Sequence, residues 1–409
     1  MLALIAVANV SWLLWGHDGS VGLTPHVPAQ GTADSVLQFV MTVAVDHRAM
    51  PLFAFLFGYG MVQFHRSRTD RGIQPRIVRV MMRRRHWAMV LLGLLHAALL
   101  FSGDVLGAYG VAALLLVWIF FDRRDRTVLI WICVIAGIMA LGSLFMVVGG
   151  VMTSLFAPDE VLAEMASGTE ELGAGVVREL SYGQSYLPSM LVRVMMWIPI
   201  TLQGALMVVV PAAIMIGWLA ARRRVLDEPW DHVRLLRRVA IGGIMIGWLT
   251  GLPDALMNAG LLPLPEGVYW MFVGVNYLGG LACGLGYAAA FGLLAMAWQG
   301  RRAGRASAPG RSTGPLVRAL SALGQRSLTF YLFQSVVLAP LFAAWGLGVA
   351  QYVSTTGAVA IAFAVWLLSL PIALAMDSRG LRGPAEMLLR KMTYGTHDPR
   401  PERASSPVG

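Results

Sequence analysis

The chain has 409 residues, of which 57% are hydrophobic and only 13% are charged, and its net charge is +10. A soluble protein carries about 25% charged residues, so this composition excludes an ordinary soluble globular domain. Nucleic-acid binding is excluded as well, because the basic residues flank apolar runs instead of forming one continuous basic face.

Basic residues alternate with long apolar runs along the chain. Five stretches hold 29 of the 32 Lys and Arg residues, at 66–85, 123–126, 222–238, 301–326 and 379–403. Basic residues close to the ends of membrane spans are retained in the cytoplasm. The pattern predicts a multi-pass protein of the cell membrane, with both termini in the cytoplasm and anionic lipid headgroups as partners.

Membrane spans need about 20 apolar residues each. We predict an all-α polytopic bundle of ten transmembrane helices, near 2–16, 35–64, 86–102, 104–121, 127–150, 195–220, 239–260, 268–297, 327–348 and 355–376. The second span is interrupted at residues 46–51, and proline favours the first turn of a helix. One helix is therefore expected to end near Val45 and another to begin near Pro51.

The ten spans are predicted to form a single domain, residues 1–376, with one long external loop at 151–194. Pro158 and the two acids after it resemble a helix start, either of an interfacial helix or of a lid over an outward-facing site. Composition predicts a flexible cytosolic linker at 299–315. Residues 377–409 are expected to be a cytosolic tail, with a short amphipathic helix followed by disorder.

Ionisable residues within the spans are the main functional candidates, because a charged group at membrane depth is costly. Asp46 and His47 could act as a general base and its orienting group. Arg48 could hold an anionic acceptor or an oxyanion. The structural alternative is an Asp46–Arg48 pair that satisfies the helix break.

His96 is the only histidine predicted to lie deep within a span. It either hydrogen-bonds a neighbouring helix or acts as a base or proton relay. Asp104 either caps the fourth span or pairs with His96 or Arg48. Further side chains predicted to bind substrate are Tyr109, Asp254, Tyr331 and Gln334.

The sequence contains no recognisable cofactor-binding or metal-binding motif. Cys133 and Cys283 lie within apolar runs and have no His or Cys at metal-ligand spacing. We expect no metal and no bound cofactor. The sequence has no Walker loop, HExxH or GxSxG, so ATP-driven transport by this chain alone is not supported.

Four ordered segments resemble the YeiB-like family of bacterial membrane proteins. They are 51–60 ("LFSFLFG-G"), 93–96 with 103–109 ("GLLH…GDIL-YG"), 328–335 ("LT-YL-QS") and 382–390 ("RGP-E-LLR"). The family's "R-D-RG" element before the first span has no counterpart here, where the sequence starts at Met1. Either the start codon is assigned wrongly or an intramembrane Asp/Arg pair is missing. If the Asp/Arg pair of that element is catalytic, the chain as written would be inactive.

The resemblance also carries expectations about function. The C-terminal half corresponds to a domain of unknown function, and the family is grouped distantly with transmembrane acyltransferases. This implies transfer of an acyl group from a cytosolic donor such as acyl-CoA to an extracytoplasmic small-molecule or glycan acceptor. His96 or His47 would be the base, oriented by Asp46 or Asp104. The alternatives are a secondary transporter or exporter of a small amphipathic molecule, or a catalytically silent membrane partner.

Overall fold

The computed structural model describes residues 1–17, 24–171, 173–206, 209–303 and 314–394. Every regular element within these ranges is helical, which confirms the predicted all-α class. Six of the helical segments are long and apolar enough to cross a membrane, namely Thr32–Thr69, Asp125–Phe156, Tyr186–Leu206, Val233–Asn258, Glu266–Trp298 and Thr355–Ser378. The protein is therefore a multi-pass membrane protein.

Sixteen α-helices follow one another along the described chain. They are α1 (Leu2–Val10), α2 (Thr32–Ala44), α3 (Ala49–Thr69), α4 (Pro75–Leu99), α5 (Leu106–Phe120), α6 (Asp125–Phe156), α7 (Asp159–Glu171), α8 (Ala174–Tyr182), α9 (Tyr186–Leu206), α10 (Val209–Arg222), α11 (Val233–Asn258), α12 (Val273–Ala303), α13 (Pro315–Gln325), α14 (Ser327–Phe342), α15 (Thr355–Ser378) and α16 (Pro384–Tyr394). Short 3₁₀ segments occupy Ser11–Leu13, Glu266–Phe272 and Val349–Tyr352.

Three shorter apolar helices coincide with further predicted spans, at Leu2–Leu13, Leu106–Phe120 and Ser327–Phe342, and a fourth, Val209–Arg222, covers the second half of the predicted span at 195–220. The total of ten spans stays a prediction, because these helices are shorter than a bilayer-crossing helix of about 20 residues.

The predicted interruption of the second span is present, and it shapes the centre of the bundle. α2 ends at Ala44 and α3 begins at Ala49, with Pro51 in the first turn, where its missing N–H leaves no helical bond unmade. Between the helices His47 has a φ of 60°, which side-chain-bearing residues rarely adopt. α12 touches this break, because a Cβ added to Gly280 would meet the His47 carbonyl oxygen.

At three places the helices begin or end elsewhere than the bounds predicted for the spans and the long loop. α4 starts at Pro75 rather than near residue 86, because proline suits the first helical turn and the arginines that follow continue the helix. The predicted span at 195–220 corresponds to parts of two helices, α9 and α10. The predicted loop at 151–194 is shorter, because α6 continues to Phe156 and α9 begins at Tyr186.

The segments predicted to lie outside the spans are partly helical. α7 begins directly after Pro158, as the acids there predicted, and α16 is the short helix predicted in the tail. α12 continues to Ala303, into the region predicted as a linker. The rest of that linker up to residue 313 and the tail after residue 394 lie outside the described residues.

The main core lies among α3, α4, α5, α10 and α12, with Leu52, Tyr109 and Trp218 among its buried side chains. α6, in contrast, is mostly exposed along its apolar length, as expected for a helix that faces lipid. The break between α2 and α3 and the start of α5 border this core, and they carry most of the predicted site residues.

Candidate functional site

His96 on α4 and Asp104, just before α5, form a buried pair. His96 Nδ1 lies 2.8 Å from Asp104 Oδ1, and the two residues are 4% and 1% exposed. The other carboxylate oxygen accepts a hydrogen bond of 2.8 Å from the backbone N–H of Gly107. Asp104 therefore caps α5 and pairs with His96, so two of its predicted alternatives hold together. No ion pair joins it to Arg48 in the described structure.

Tyr331 of α14 packs against the same pair. Its hydroxyl donates to Asp104 Oδ1 at 3.4 Å, and its ring centroid lies 5.3 Å from that of His96 in an edge-on arrangement. His96 Nε2 has no hydrogen-bond partner within the described part of the chain. Asp104 thus fixes one imidazole nitrogen of His96, while the other is buried without a partner among the described residues.

A second imidazole–carboxylate pair, at the break between α2 and α3, was missed by the sequence reasoning. His26 Nε2 lies 2.8 Å from Asp46 Oδ2, and His26 Nδ1 lies 3.3 Å from Ser11 Oγ. All three side chains are buried. His26 lies in a segment without regular structure, and its only sequence signal is the pair Pro25 and Pro28, which restrict the backbone around it.

α8 holds the segment that carries His26. Arg178 Nη1 donates a hydrogen bond of 2.7 Å to the carbonyl oxygen of Pro25. Burial lowers the pKa of Arg178 to about 10, which leaves it protonated at neutral pH. The 151–194 region, through α8, therefore contacts the segment that carries His26.

The predicted structural alternative, an Asp46–Arg48 carboxylate pair, is wrong. Arg48 Nη1 donates to the backbone oxygen of Asp46 and to Asn276 Oδ1, each at 2.5 Å, and Nη2 donates to the Gly247 oxygen at 2.7 Å. The residue is 0% exposed. Arg48 therefore joins the helix break to α11 and α12 through hydrogen bonds. The Asp46 carboxylate binds His26 instead.

Asp254 is part of this Arg48 network. Its Oδ2 accepts a hydrogen bond of 2.5 Å from Asn276 Nδ2, so Asn276 bridges the carboxylate and the guanidinium. Asp254, Asp46 and His47 border a cavity of about 30 Å³. A buried water needs about 10–15 Å³ of cavity volume, so this space can hold one or two water molecules. Any substrate group that contacts Asp254 from this cavity must therefore be small.

Asp46, His47 and Asp104 meet at a larger cavity of about 340 Å³, here called the Asp46 cavity. Its walls also include Asn9, Trp12, Phe53, Ser102, Tyr109 and Tyr277. Aromatic walls with a few convergent polar groups are typical of small-molecule sites. His96 reaches this cavity only through Asp104.

A second cavity of about 320 Å³, here called the Arg85 cavity, lies between α3 and α4. It is bordered by Phe53, Phe57 and Phe64 of α3 and by Met82, Arg85, His86 and Met89 of α4. These residues recur at helical spacing, so one face of each helix lines the cavity. Neither ring nitrogen of His86 has a partner among the described residues, although the side chain is buried.

Glu386 of α16 stands at the edge of the Arg85 cavity. Its Oε1 accepts the backbone N–H groups of Leu328 at 2.8 Å and Thr329 at 3.2 Å, and its Oε2 accepts the Thr329 hydroxyl at 2.5 Å. Glu386 therefore caps α14, which connects two of the segments singled out in the sequence.

A layer of aromatic rings separates the two cavities. Phe53 borders both of them. Its ring stacks on Tyr109 at 5.3 Å and lies 6.3 Å from Tyr331, while Phe57 stacks on Tyr109 at 5.8 Å. Phe53 is therefore the one described residue that lines both cavities.

Of the other two predicted substrate-binding residues, Tyr109 lines a cavity and Gln334 does not. Tyr109 borders the Asp46 cavity, and its hydroxyl donates to the Met50 oxygen at 2.8 Å. Gln334 instead donates to the Leu2 oxygen at 3.2 Å and borders neither cavity. The described residues contain no group of three His, Cys, Asp or Glu side chains placed to hold a metal ion.

Comparisons with known proteins agree with the resemblance found in the sequence. Residues 220–396 match the family described as "Protein of unknown function (DUF418)". The chain is 22% identical over 377 residues to the "Uncharacterized protein YxaH" of Bacillus subtilis (strain 168), covering 90% of this chain and 84% of that protein. It is 26% identical over 373 residues to the "Uncharacterized protein YeiB" of Escherichia coli (strain K12), covering 87% and 84%. No solved structure matches the chain.

Proposed function

The chain belongs to the YeiB-like family of bacterial multi-pass membrane proteins, and from its two facing cavities we propose that it transfers an acyl group across the membrane. The donor enters the Arg85 cavity from the cytoplasm. The acceptor, a small molecule or a glycan, enters the Asp46 cavity from the other side.

The observation that carries this proposal is the position of Phe53, whose side chain borders both cavities. A bimolecular transfer needs its reacting atoms about 3–3.5 Å apart in the reactive complex. Two substrates that enter from opposite sides come closest at this ring. A rotation of Phe53 would bring them into contact without opening a wide pore.

The Asp104–His96 pair supplies the acid–base chemistry in this proposal. The acceptor's hydroxyl or amine attacks the acyl carbonyl carbon, and the bond from that carbon to the donor's leaving group breaks. The proton lost by the acceptor passes to the pair and then to the leaving group. His96 suits this role because its Nε2 has no partner in the described chain.

The orientation rests on the charge pattern. With both termini in the cytoplasm, the five basic stretches face the anionic lipids and soluble anions of that side. Arg85 stands beside its cavity with its guanidinium 5.5 Å from the Phe64 ring. Arginines there can hold the phosphates of a donor such as acyl-CoA, which is then a co-substrate and not a bound cofactor.

The test is a transfer assay in reconstituted vesicles. Radiolabelled acetyl-CoA or a longer acyl-CoA is supplied on the side of the basic loops, with a mixture of amines and sugars on the other side. Labelled product is expected only on that other side. His96→Gln should reduce transfer by about a hundredfold or more, whereas His232→Gln, on the α10–α11 connection, should not.

Unchanged transfer by a folded His96→Gln protein would leave His96 as a structural hydrogen-bonding residue. Absence of any labelled product with the parent protein, across donors of several chain lengths, would contradict the acyltransferase proposal itself.

The second candidate is transport of a small amphipathic molecule. The aromatic layer at Phe53 favours it, because alternating access needs a barrier between two half-sites. Transport predicts movement of an unmodified molecule between the two sides with no acyl donor present. The same vesicles distinguish the two functions, because only transfer consumes the donor.

A further inference from the structure

The described lining of the Asp46 cavity contains two acidic side chains and no lysine or arginine. Asp46, from the break before α3, and Asp104, from the start of α5, both border it, and they are 7% and 1% exposed. No Lys or Arg is among its described lining residues. Arg48, although next to this wall in sequence, directs its guanidinium to Asn276 and to the Gly247 oxygen. Two buried carboxylates therefore border a space that no lysine or arginine lines, and His47 is the one ionisable base among its described lining residues.

Asp46 has one oxygen that its own chain does not use. Oδ2 is bound to His26 Nε2 at 2.8 Å. Oδ1 accepts no hydrogen bond from any described residue, although the side chain is nine-tenths buried and borders the cavity. This oxygen can accept a hydrogen bond from a group inside the cavity. A positively charged donor would also compensate the charge of the carboxylate.

Aromatic rings complete the walls around these carboxylates. Trp12, Phe53, Tyr109 and Tyr277 all border the cavity. The faces of such rings attract a cation that lies within about 6 Å of the ring centre, and tryptophan does so most strongly. The rings also provide apolar area for the uncharged part of a ligand.

We propose that the Asp46 cavity binds an organic cation, with an ammonium group against Asp46 Oδ1 and an apolar or aromatic body among these rings. The binding is independent of the transfer reaction. One extension rests on the proposed function, namely that the acceptor is an amine and not a sugar hydroxyl.

The first test needs no variant. The full-length protein, in detergent or in lipid nanodiscs and without any acyl donor, is titrated by calorimetry with 2-phenylethylamine and with 2-phenylethanol. The two probes have similar size and shape but differ in charge. The amine should bind about tenfold more tightly or better, a difference of about 1.4 kcal/mol. Equal affinity, or tighter binding of the alcohol, would overturn the proposal.

The second test assigns the preference to Asp46. Asp46→Asn should remove most of the amine preference, whereas Asp46→Glu, which keeps the charge, should retain it. Asp159→Asn is the matched control, because it removes the same charge from an exposed position on α7. A folded Asp46→Asn protein that binds the amine as the parent does would overturn the proposal.

The acyl-transfer proposal and the cation-binding proposal can be disproved independently of each other. Loss of the amine preference leaves acyl transfer to a neutral acceptor intact. Absence of acyl transfer in the vesicle assay leaves the cation site intact, since calorimetry is done without a donor. If Asp46→Asn does not fold, the comparison of the two probes on the parent protein still decides the question.

Discussion

Arg48 shows how one residue can fix a broken helix. Its guanidinium donates hydrogen bonds to the oxygens of Asp46 and Gly247 and to Asn276, and it is fully buried. Arg48→Ala would leave those acceptors without donors in the interior, at about 1–3 kcal/mol for each group. We expect a markedly lower melting temperature in detergent and a lower yield.

The matched control for this prediction is Arg224→Ala. Arg224 itself has a positive φ, as His47 next to Arg48 does, but its side chain forms an exposed ion pair with Glu228. Exposed pairs contribute little to stability, so its melting curve should resemble that of the parent. Equal melting temperatures for the two variants would show that the Arg48 contacts are not stabilising.

At the residue scale, the sequence identified those site residues that differ from their immediate neighbours in the chain. Asp46, Asp104 and His96 stand out because ionisable groups are rare in apolar runs, and the structure brings all three close to one cavity. His26 could not be found in this way, because its position depends on the contact from Arg178, which is 153 residues away from Pro25 in the chain. The direction of the Arg48 side chain likewise depends on α11 and α12.

At the element scale, Glu386 joins α16 to the start of α14, which it caps. Glu386→Ala would remove the acceptor for the N–H groups of Leu328 and Thr329. Loss of a helix cap costs about 0.5–2 kcal/mol. We expect α16 to separate from α14 more often, so that trypsin cleaves after Lys391 faster than in the parent.

The control for that prediction is Glu228→Ala, which removes an exposed carboxylate from the α10–α11 connection. It should leave cleavage after Lys391 unchanged. If Glu386→Ala also leaves the cleavage rate unchanged, then the apolar contacts of α16, such as buried Leu389, are sufficient to hold the helix.

Helix positions were predictable to the extent that the sequence marks the ends of helices. Pro51 and the polar residues before it marked the break between α2 and α3. The apolar run at 195–220 carries no comparable signal, so the division between α9 and α10 was missed. Hydropathy also placed the start of α4 too late, because arginines lower the hydropathy of a segment without ending its helix.

At the scale of the whole molecule, the proposed orientation would give the two cavities surroundings of opposite charge. The proposed orientation places 29 of the 32 basic residues on one side. The Arg85 cavity opens among helices that carry such residues, while the Asp46 cavity is bordered by two aspartates. An anionic donor and a cationic acceptor would each be attracted to its own side. The charge pattern was visible in the sequence, but the meeting of the cavities depends on how α3, α4 and α5 pack.

A substitution of Phe53 tests whether this side chain keeps the two cavities separate. Phe53→Ala would remove the ring that both cavities share and that stacks on Tyr109. The space left behind would join the two cavities, and buried polar groups on the Asp46 side could admit water into it. We expect vesicles with this variant to leak small polar solutes, and water to hydrolyse the acyl donor without an acceptor.

Phe53→Trp, which keeps an aromatic barrier, should leave both leak and hydrolysis at the level of the parent. Phe363→Ala is a further control, because it removes an exposed phenylalanine from α15 that borders neither cavity. If Phe53→Ala vesicles are as tight as the parent, the remaining rings of Phe57, Tyr109 and Tyr331 close the passage without Phe53. The point of contact between donor and acceptor would then lie elsewhere.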